Sequence, residues 1–553
     1  MSNKELILKY ALQNAVKYNG KANVGAIIGK VISENSTLKD KIKELSKEIV
    51  SIVNEVNKLS FDEQKKRLEK LAPELLEKKH EEERKLQDLP NVKSKVVMRL
   101  APFPSGPLHL GNARAYVIND EYAKKYKGKL FLVIDDTIGS EEKAIVKEAY
   151  NLIPDGLKWL DVDFDKKIIY KSDRLKFYYK YAEELIKLGK AYVCGCIAEK
   201  LRENRLKCLE CSCRSKDVKS NLKDWKLMLA KKYKEGEAVL RIKTSMQHPN
   251  PAFRDRVLFR ISERPHPRTG QKYSVWPLLE FSWAIDDHLL GITHVIRGKE
   301  LMMESEMEEL IWNILKWKSP VLLHTGLLQI EGIKLSKSKS SKEVKEGVYS
   351  GWDDPRTWSL QSLRRRGFRP EAIRSFCLSF GLNQNEVTVP VSILYSENRK
   401  IVDKIANRYF FIENPKKVLI KNAPKMSTEI LLHPDDKKRG SRKFKTANEF
   451  YIQEDLELGK AYRFMHLFNF KNDEYLSNEV DENLNAKMIH WLPVSDDLVK
   501  VEIIMENGVI KKGLAESTVR NVKLNEIIQF ERFAFCKLDS KSKDKLVFWY
   551  THN

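Results

Sequence analysis

Long apolar runs are missing from this sequence, and cysteine is sparse. No stretch approaches the ~18 consecutive apolar residues of a membrane-spanning helix, so an integral helical membrane protein is excluded. The N-terminal MSNKELILKYALQ carries acidic and polar residues inside its apolar stripe, a poor secretory signal. The expectation is a cytoplasmic enzyme without a membrane partner. Seven cysteines do not suggest a secreted disulfide framework, and five of them crowd together, in CGC followed by CLECSC. In a reducing compartment such crowding reads as metal ligation before disulfides. Cys377 and Cys536 sit in apolar runs and belong to cores. Acidic residues are also in deficit: 77 against 100 basic ones leave a net charge of +23. Either the surface is evenly rich in lysine, or the partner is a polyanion, since long-range attraction and counterion release favour basic surfaces on nucleic acids. Charge does not separate RNA from DNA.

What the chain has is length and a globular composition. Its 553 residues, 42% of them hydrophobic, exceed one core and imply about three to five domains. Residues 1–72 are helical in period: KELILKYALQNAVKYNG ends at a glycine, VGAIIGKVI opens a second helix, and LKDKIKELSKEIVSIVNEVNKL repeats apolar residues at three and four. LLEKKHEEERKLQDLPNVKSK, closed by Pro90, reads as a connecting helix and linker. From Val96 the pattern turns to strand, helix through Tyr126, strand KGKLFLVIDD, then helix in EEKAIVKEAYNLIPDGLKWL. This βαβ unit opens a doubly wound sheet, whose ligands bind at the carboxyl ends of strands. Residues 171–280 carry the cysteines and strand-like AVLRIK and DRVLFRIS; FSWAIDDHLLGITHVIRG reads as a return to buried strand and turn, before a helix in EMEELIWNILKW. An inserted domain therefore interrupts the sheet. Helices run from Pro370 to Gly381, and beyond residue 385 the alternation has period two, with a hairpin at Asn507-Gly508. The C-terminal third is β-rich, sandwich or barrel.

The stretch Pro102–Ala115, PFPSGPLHLGNARA, lies between strand VVMRLA and a helix. Its prolines stiffen the strand exit, Gly106 permits a turn other residues resist, and Gly111 opens the helix without a side chain. The helix N-terminus favours phosphate, and His109 can donate to a phosphate whose charge builds during reaction. A lone loop histidine is more often a helix-start residue bonded to backbone. A second element far downstream overturns that reading: GIKLSKSKSS, whose Lys334 and Lys337 can bring two ammonium groups to a triphosphate.

Together these segments resemble a class I aminoacyl-tRNA synthetase. His109-Leu110-Gly111-Asn112 matches that family's HIGH element, and Lys334-Leu335-Ser336-Lys337-Ser338 its KMSKS element. RLAPFPSGPLHLGNARA, DDHLLGITHVIRG and GWDDPRTWSLQSLRRRGF look like the glutamyl/glutaminyl subclass. The last of these, with VDKIANRYFF and IIQFERFAF, is similar to its archaeal/eukaryotic type, which reads the anticodon with β-barrels. The implied fold is α/β: an N-terminal helical domain and linker (1–90), a Rossmann-type catalytic domain in two halves (91–190 and 281–345), an inserted acceptor-stem domain (191–280), a helical connector (346–400) and anticodon-binding β-barrels (401–553).

The resemblance implies glutamate activation with ATP and Mg²⁺, then transfer to tRNA(Glu), with tRNA(Gln) left open as a second acceptor; a monomer is expected. His109, Asn112, Lys334 and Lys337 take the catalytic roles. ATP is implied to lie against Pro102, Phe103, Pro104, Ser105, Gly106, Pro107, Leu108, His109, Leu110, Gly111 and Asn112, and against Lys334, Leu335, Ser336, Lys337 and Ser338. Arg99, Asp135 and Arg297 are implied to hold glutamate, Asp135 by its α-ammonium. Glutaminyl enzymes usually carry cysteine where Arg297 stands, and a guanidinium there would pair with a side-chain carboxylate. Phe103, Val133, Ile138 and Leu279 depart from the family pattern. Cys194, Cys196, Cys208, Cys211 and Cys213 supply candidate ligands for a structural Zn²⁺, with unligated thiols as the alternative. Arg364, Arg365 and Arg366 form either a solvated helix face or a tRNA backbone contact. Arg408, Tyr409 and Phe410 form either an anticodon platform or strand core. The rivals are a glutaminyl-tRNA synthetase, which Arg297 opposes; an HxGH nucleotidyltransferase working without tRNA, which the β-rich C-terminal part opposes; and a non-catalytic RNA-binding or scaffold derivative, which intact His109, Lys334 and Lys337 oppose.

Overall fold

A computed structural model describes residues 3–17, 20–34, 42–72, 75, 86–138, 144–333, 335 and 337–553. Lys334 and Ser336 lie outside these residues, and Lys337 and Ser338 are described in their backbone alone. Among the described residues no helix is long and apolar enough to cross a membrane. The chain divides into two compact units, Met1–Lys85 and Leu86–Asn553.

The first unit holds helices α1 (Asn3–Lys17), α2 (Val24–Glu34), α3 (Ile42–Asn57) and α4 (Phe61–Leu71). Their apolar stripes meet in a core that includes Ile7, Ala11, Ile27, Ile49 and Val53. Ser60 starts α4 with a capping box, Glu63 N donating to Ser60 Oγ at 3.3 Å and Ser60 N to Glu63 Oε2 at 3.2 Å. Buried Gln64 donates to the carbonyls of Gly20 and Val56, tying the last helix to the α1–α2 loop and to the end of α3.

In the second unit the order is β1 (Val97–Leu100), α5 (Leu110–Lys125), β2 (Lys129–Ile134), α6 (Ala149–Trp159), β3 (Ile169–Tyr170) and α7 (Leu175–Lys187). An insert follows: β4 (Ala191–Cys194), α8 (Ala198–Leu206), α9 (Val218–Leu229), β5 (Val239–Ile242), β6 (Val257–Ile261) and β7 (Val275–Pro277). The chain then returns through α10 (Leu279–Leu289), β8 (His294–Gly298), α11 (Met302–Leu315), β9 (Val321–Thr325) and β10 (Leu328–Ile330). After these come α12 (Lys337–Lys345), α13 (Leu360–Arg366), α14 (Pro370–Leu378), β11 (Val387–Val389) and α15 (Ser392–Val402). β1, β2 and β3 pair in parallel, as do β8 and β9. Thr293 stitches the two groups together: its N–H donates to Val97 O, and Val97 N–H to its Oγ1, both at 2.9 Å. The resulting order β3-β2-β1-β8-β9 reverses between β1 and β8, the switch point where ligands of open α/β sheets bind. The insert is a separate antiparallel sheet, β4-β5-β6-β7.

Two sequence expectations are corrected. FSWAIDDHL is helix α10 rather than strand: it is buried from Glu280 to Asp287, polar side chains included, so no wet face marked its period. The helix expected from residue 141 begins at Ala149; residues 141–143 lie outside the described part, and Val146 N instead donates to Pro104 O at 2.8 Å.

The C-terminal region is two β structures grown from one strand. Seven strands form a sheet whose edges are Asn407–Tyr409 and Phe411–Glu413. Those edges are joined by a single residue, so the sheet curls almost closed. Side chains alternate faces along the strand: Tyr409 and Phe411 enter this barrel's core, while Phe410 and Ile412 enter a second, aromatic core with Phe450, Phe464, Phe470 and Trp491. The hairpin at Gly508 is present, with φ of +84° and a Met505–Val509 closing pair.

Candidate active site

The Pro102–Leu108 loop leaves β1 at the sheet's switch point and ends on the first turn of α5. Leu108 and Leu110 are fully buried in the sheet's core, and His109 between them stays half-buried at the N-cap. Burying two leucines, at roughly 1.5–3 kcal/mol each, pins the backbone of the histidine they flank. Asn112 Oδ1 lies 3.4 Å from His109 N. The loop is clamped on its far side too: Leu110 N donates to Trp358 O at 3.2 Å, Leu360 N to Leu108 O at 2.8 Å. Gly106 has φ of +149°, and a Cβ there would stand 2.9 Å from the Trp352 ring.

The downstream KLSKS segment reaches this loop. A Cβ placed on Gly111 would lie 3.1 Å from His109 Cε1 and 3.1 Å from Leu335 Cδ1, so the glycine is flanked by the histidine and the first described residue of that segment. Two stretches more than 200 positions apart in the sequence are therefore neighbours. His109, Asn112 and Leu335 line one cavity of about 500 Å³ with Arg99, Trp283 and Arg297.

Trp283 is the centre of a buried ionic set. The Arg99 and Arg297 guanidinium carbons and Lys171 Nζ lie 5.1, 5.0 and 5.0 Å from its ring. Each cation has its own carboxylate. Arg99 Nε donates to Asp287 Oδ1 at 2.5 Å, and Arg297 Nη1 and Nη2 to Glu308 Oε1 and Oε2 at 2.8 and 3.0 Å. Lys171 Nζ lies 3.1 Å from Asp135 Oδ2. All six residues are buried. Burial pushes the Lys171 ammonium below its usual range, against the opposing pull of Asp135. Two donors are left over: Trp283 Nε1 and Arg297 Nε are buried without a hydrogen-bond partner. Lys171, Asp287 and Glu308 escaped the sequence reading. Glu308 shares a face of α11 with Ser305 and Trp312, both buried, which the sequence alone does not show.

The model of tRNA synthetases class I (E and Q), catalytic domain, matches residues 95–404, more than half of the chain. The chain belongs to that family. Anti-codon binding domain models of the same family match residues 406–489 and 488–539. The curated glutamate–tRNA ligase of Methanocaldococcus jannaschii is 45% identical, over 99% of this chain and 100% of its own length. That of Pyrococcus furiosus is also 45% identical, with full coverage of both, and one from Methanococcus maripaludis is 42% identical over 99% of this chain. This is a synthetase chain of the glutamate–tRNA ligase group.

Other residues singled out in this synthetase fall in three places. Cys194, Cys196, Cys211 and Cys213 converge, their sulfurs all within 4.8 Å of one another, whereas Cys208 stands outside the group in a left-handed turn. Arg241 Nη1 lies 3.8 Å from both Cys194 Sγ and Cys211 Sγ, a cation that favours thiolates. Arg364 and Arg365 are partly exposed but engaged, Arg364 bidentate with Asp155 and Arg365 with Asp539. Arg366 is neither solvated nor placed for tRNA: at 0% exposure it donates to the carbonyls of Tyr550 and Thr551, joining α13 to the barrel. Tyr409 and Phe410 are core side chains, not a stacking platform, and burial pushes the Tyr409 hydroxyl up to about 12. Arg408 remains partly exposed beside Asp403, 3.3 Å away.

Proposed function

We propose that this chain joins glutamate to tRNA(Glu) in two steps. The glutamate α-carboxylate attacks the α-phosphorus of ATP, pyrophosphate leaves, and the terminal ribose of the tRNA then takes the glutamyl group from the adenylate. The observation that carries the reading is the meeting of His109 and Leu335 across Gly111 beside the cavity. His109 and Asn112 donate to the phosphates at the α5 N-terminus, and Lys334 and Lys337 close over them as charge separates. Mg²⁺ accompanies the ATP. No protein nucleophile is required; positioning and electrostatics do the chemistry. Arg99 and Asp135 hold the amino-acid head, and Arg297 faces the side-chain carboxylate. The chain works as a cytoplasmic monomer.

ATP–pyrophosphate exchange with glutamate, run with and without tRNA(Glu), tests the reading. Lys337→Ala should lower exchange by a factor of about 100 or more while tRNA affinity stays unchanged; full exchange in the variant would reject the phosphate role.

The cysteine group fits a structural zinc. Zn–S bonds of about 2.3 Å put tetrahedral sulfurs about 3.8 Å apart, and Cys194 Sγ and Cys211 Sγ lie 3.7 Å apart. A bound ion would knit β4 to the Cys211–Cys213 turn. Elemental analysis should find about one zinc per chain, lost in Cys211→Ser and retained in Cys208→Ser.

A further inference from the structure

The pairing of Arg297 bears on how the cavity tells glutamate from its amide. A buried arginine waiting for a carboxylate would be an uncompensated charge in the empty protein. Here it is already neutralised: Glu308, at 0% exposure, covers the Nη1–Nη2 edge with two hydrogen bonds, and Ser305 Oγ accepts a third from Nη2 at 2.5 Å. The one guanidinium nitrogen left with no partner at all is Arg297 Nε, buried on a residue that lines the cavity beside the equally unpartnered Trp283 Nε1.

The ionic set is balanced as it stands. Arg99, Lys171 and Arg297 face Asp287, Asp135 and Glu308 one for one. Zwitterionic glutamine adds no net charge to this set, whereas glutamate adds one negative charge. Among groups this deeply buried an extra carboxylate on an already paired guanidinium is costly. The balance returns if one carboxyl group in the set is protonated.

Resting on the reading of Arg297 above, we propose that Glu308 is a specificity-positioning residue: glutamate docks its γ-carboxylate on the unpartnered Nε–H of Arg297, and Glu308 takes one proton from solvent as it does so. The proton bonds to a Glu308 carboxyl oxygen, and nothing else is made or broken. Arg297 then meets one carboxylate, that of the substrate, and one neutral acid. Glutamine, binding without a proton, leaves Glu308 ionised and finds no net positive charge on Arg297.

The surroundings of Glu308 suit this exchange. Burial pushes its carboxyl up to about 7, against the pull of Arg297 from β8 and of Arg99 from β1, and with the push of Asp287 from α10. From β9, His324 reaches the same cluster through Ser305, its Nε2 2.8 Å from Ser305 Oγ, and burial and Arg297 hold it below its usual range, hence neutral. Glu308 is therefore a group in this cluster poised to change charge near neutrality.

The test is calorimetric titration of L-glutamate into the full chain with tRNA(Glu), in two buffers of different ionisation enthalpy, at about pH 6 and about pH 8.5. The expected result at the higher pH is uptake of about one proton per glutamate, with affinity falling about tenfold per pH unit above about 7. Glu308→Gln should abolish the uptake and flatten the profile, which separates Glu308 from Lys171 as the proton acceptor. L-Glutamine should bind weakly and without uptake. Glutamate binding with no proton uptake and a flat profile in the unaltered protein overturns the proposal and leaves the glutamate reading intact. Uptake that survives Glu308→Gln also overturns it. Absence of glutamate binding at either pH removes the glutamate reading, and the proposal with it. The proton count on the unaltered chain decides the matter even if the variant fails to fold.

Discussion

Gly111 shows how little room a single position leaves. Its missing side chain lets the His109 ring and Leu335 approach each other, and a methyl group there would touch both at 3.1 Å. Gly111→Ala should therefore slow pyrophosphate exchange about tenfold, since small misplacements near reacting groups are expensive. Its melting temperature should hold; a variant with normal exchange would mean the closeness does not matter. This residue was legible because phosphate chemistry demands a bare backbone and a histidine at a helix start, and few sequences supply both. Glu308 was not legible. In EMEELIWNILKW it looks like one more acidic residue on a solvated helix, and only Arg297, eleven positions upstream on another element, reveals its role. For Tyr409 the letters left platform and strand core both open, and the structure takes the core; Arg366 matched neither of its readings, because its burial is set by the barrel strand carrying Tyr550 and Thr551, far away in the chain.

At the scale of elements, local pattern succeeded where one face is wet. The βαβ opening and the Gly508 hairpin follow from alternation and turn chemistry, whereas α10, buried from Glu280 to Asp287, offered no periodicity to read. The barrel strands carry a pH dependence. His552, bonded to Asn398 at 2.9 Å, and His490, against Phe410, are both pushed down to about 4 by burial. Between about 6.5, where an unfolded histidine titrates, and 4, the unfolded chain binds protons that the native barrels refuse. Stability present above pH 6.5 is thus lost as pH falls toward 4, by roughly 3 kcal/mol for each histidine. Denaturant midpoints measured across that range should drop, and His552→Gln should remove part of the drop; an unchanged profile in that variant would assign the acid sensitivity elsewhere.

The whole molecule holds its parts to different degrees. Among the described residues, the first unit has an apolar core of its own that includes Ile7, Ile27, Ile49 and Val53. A chain beginning at Leu86 should consequently melt within about 3 °C of the full protein and keep pyrophosphate exchange; a large loss of either would show that the sheet depends on those helices. The two C-terminal lobes have no such independence. Asn407–Tyr409 pairs with Ile527–Phe530, and Phe411–Glu413 with Ile510–Ala515, each across about a hundred positions of chain. On a ribosome, this strand emerges long before either partner exists, while most of the aromatic lobe is synthesised in between. The order of synthesis thus makes the first barrel wait: one face of a single strand can be claimed early, and the other stays bare until the strands Ile510–Ala515 and Ile527–Phe530 have left the exit tunnel.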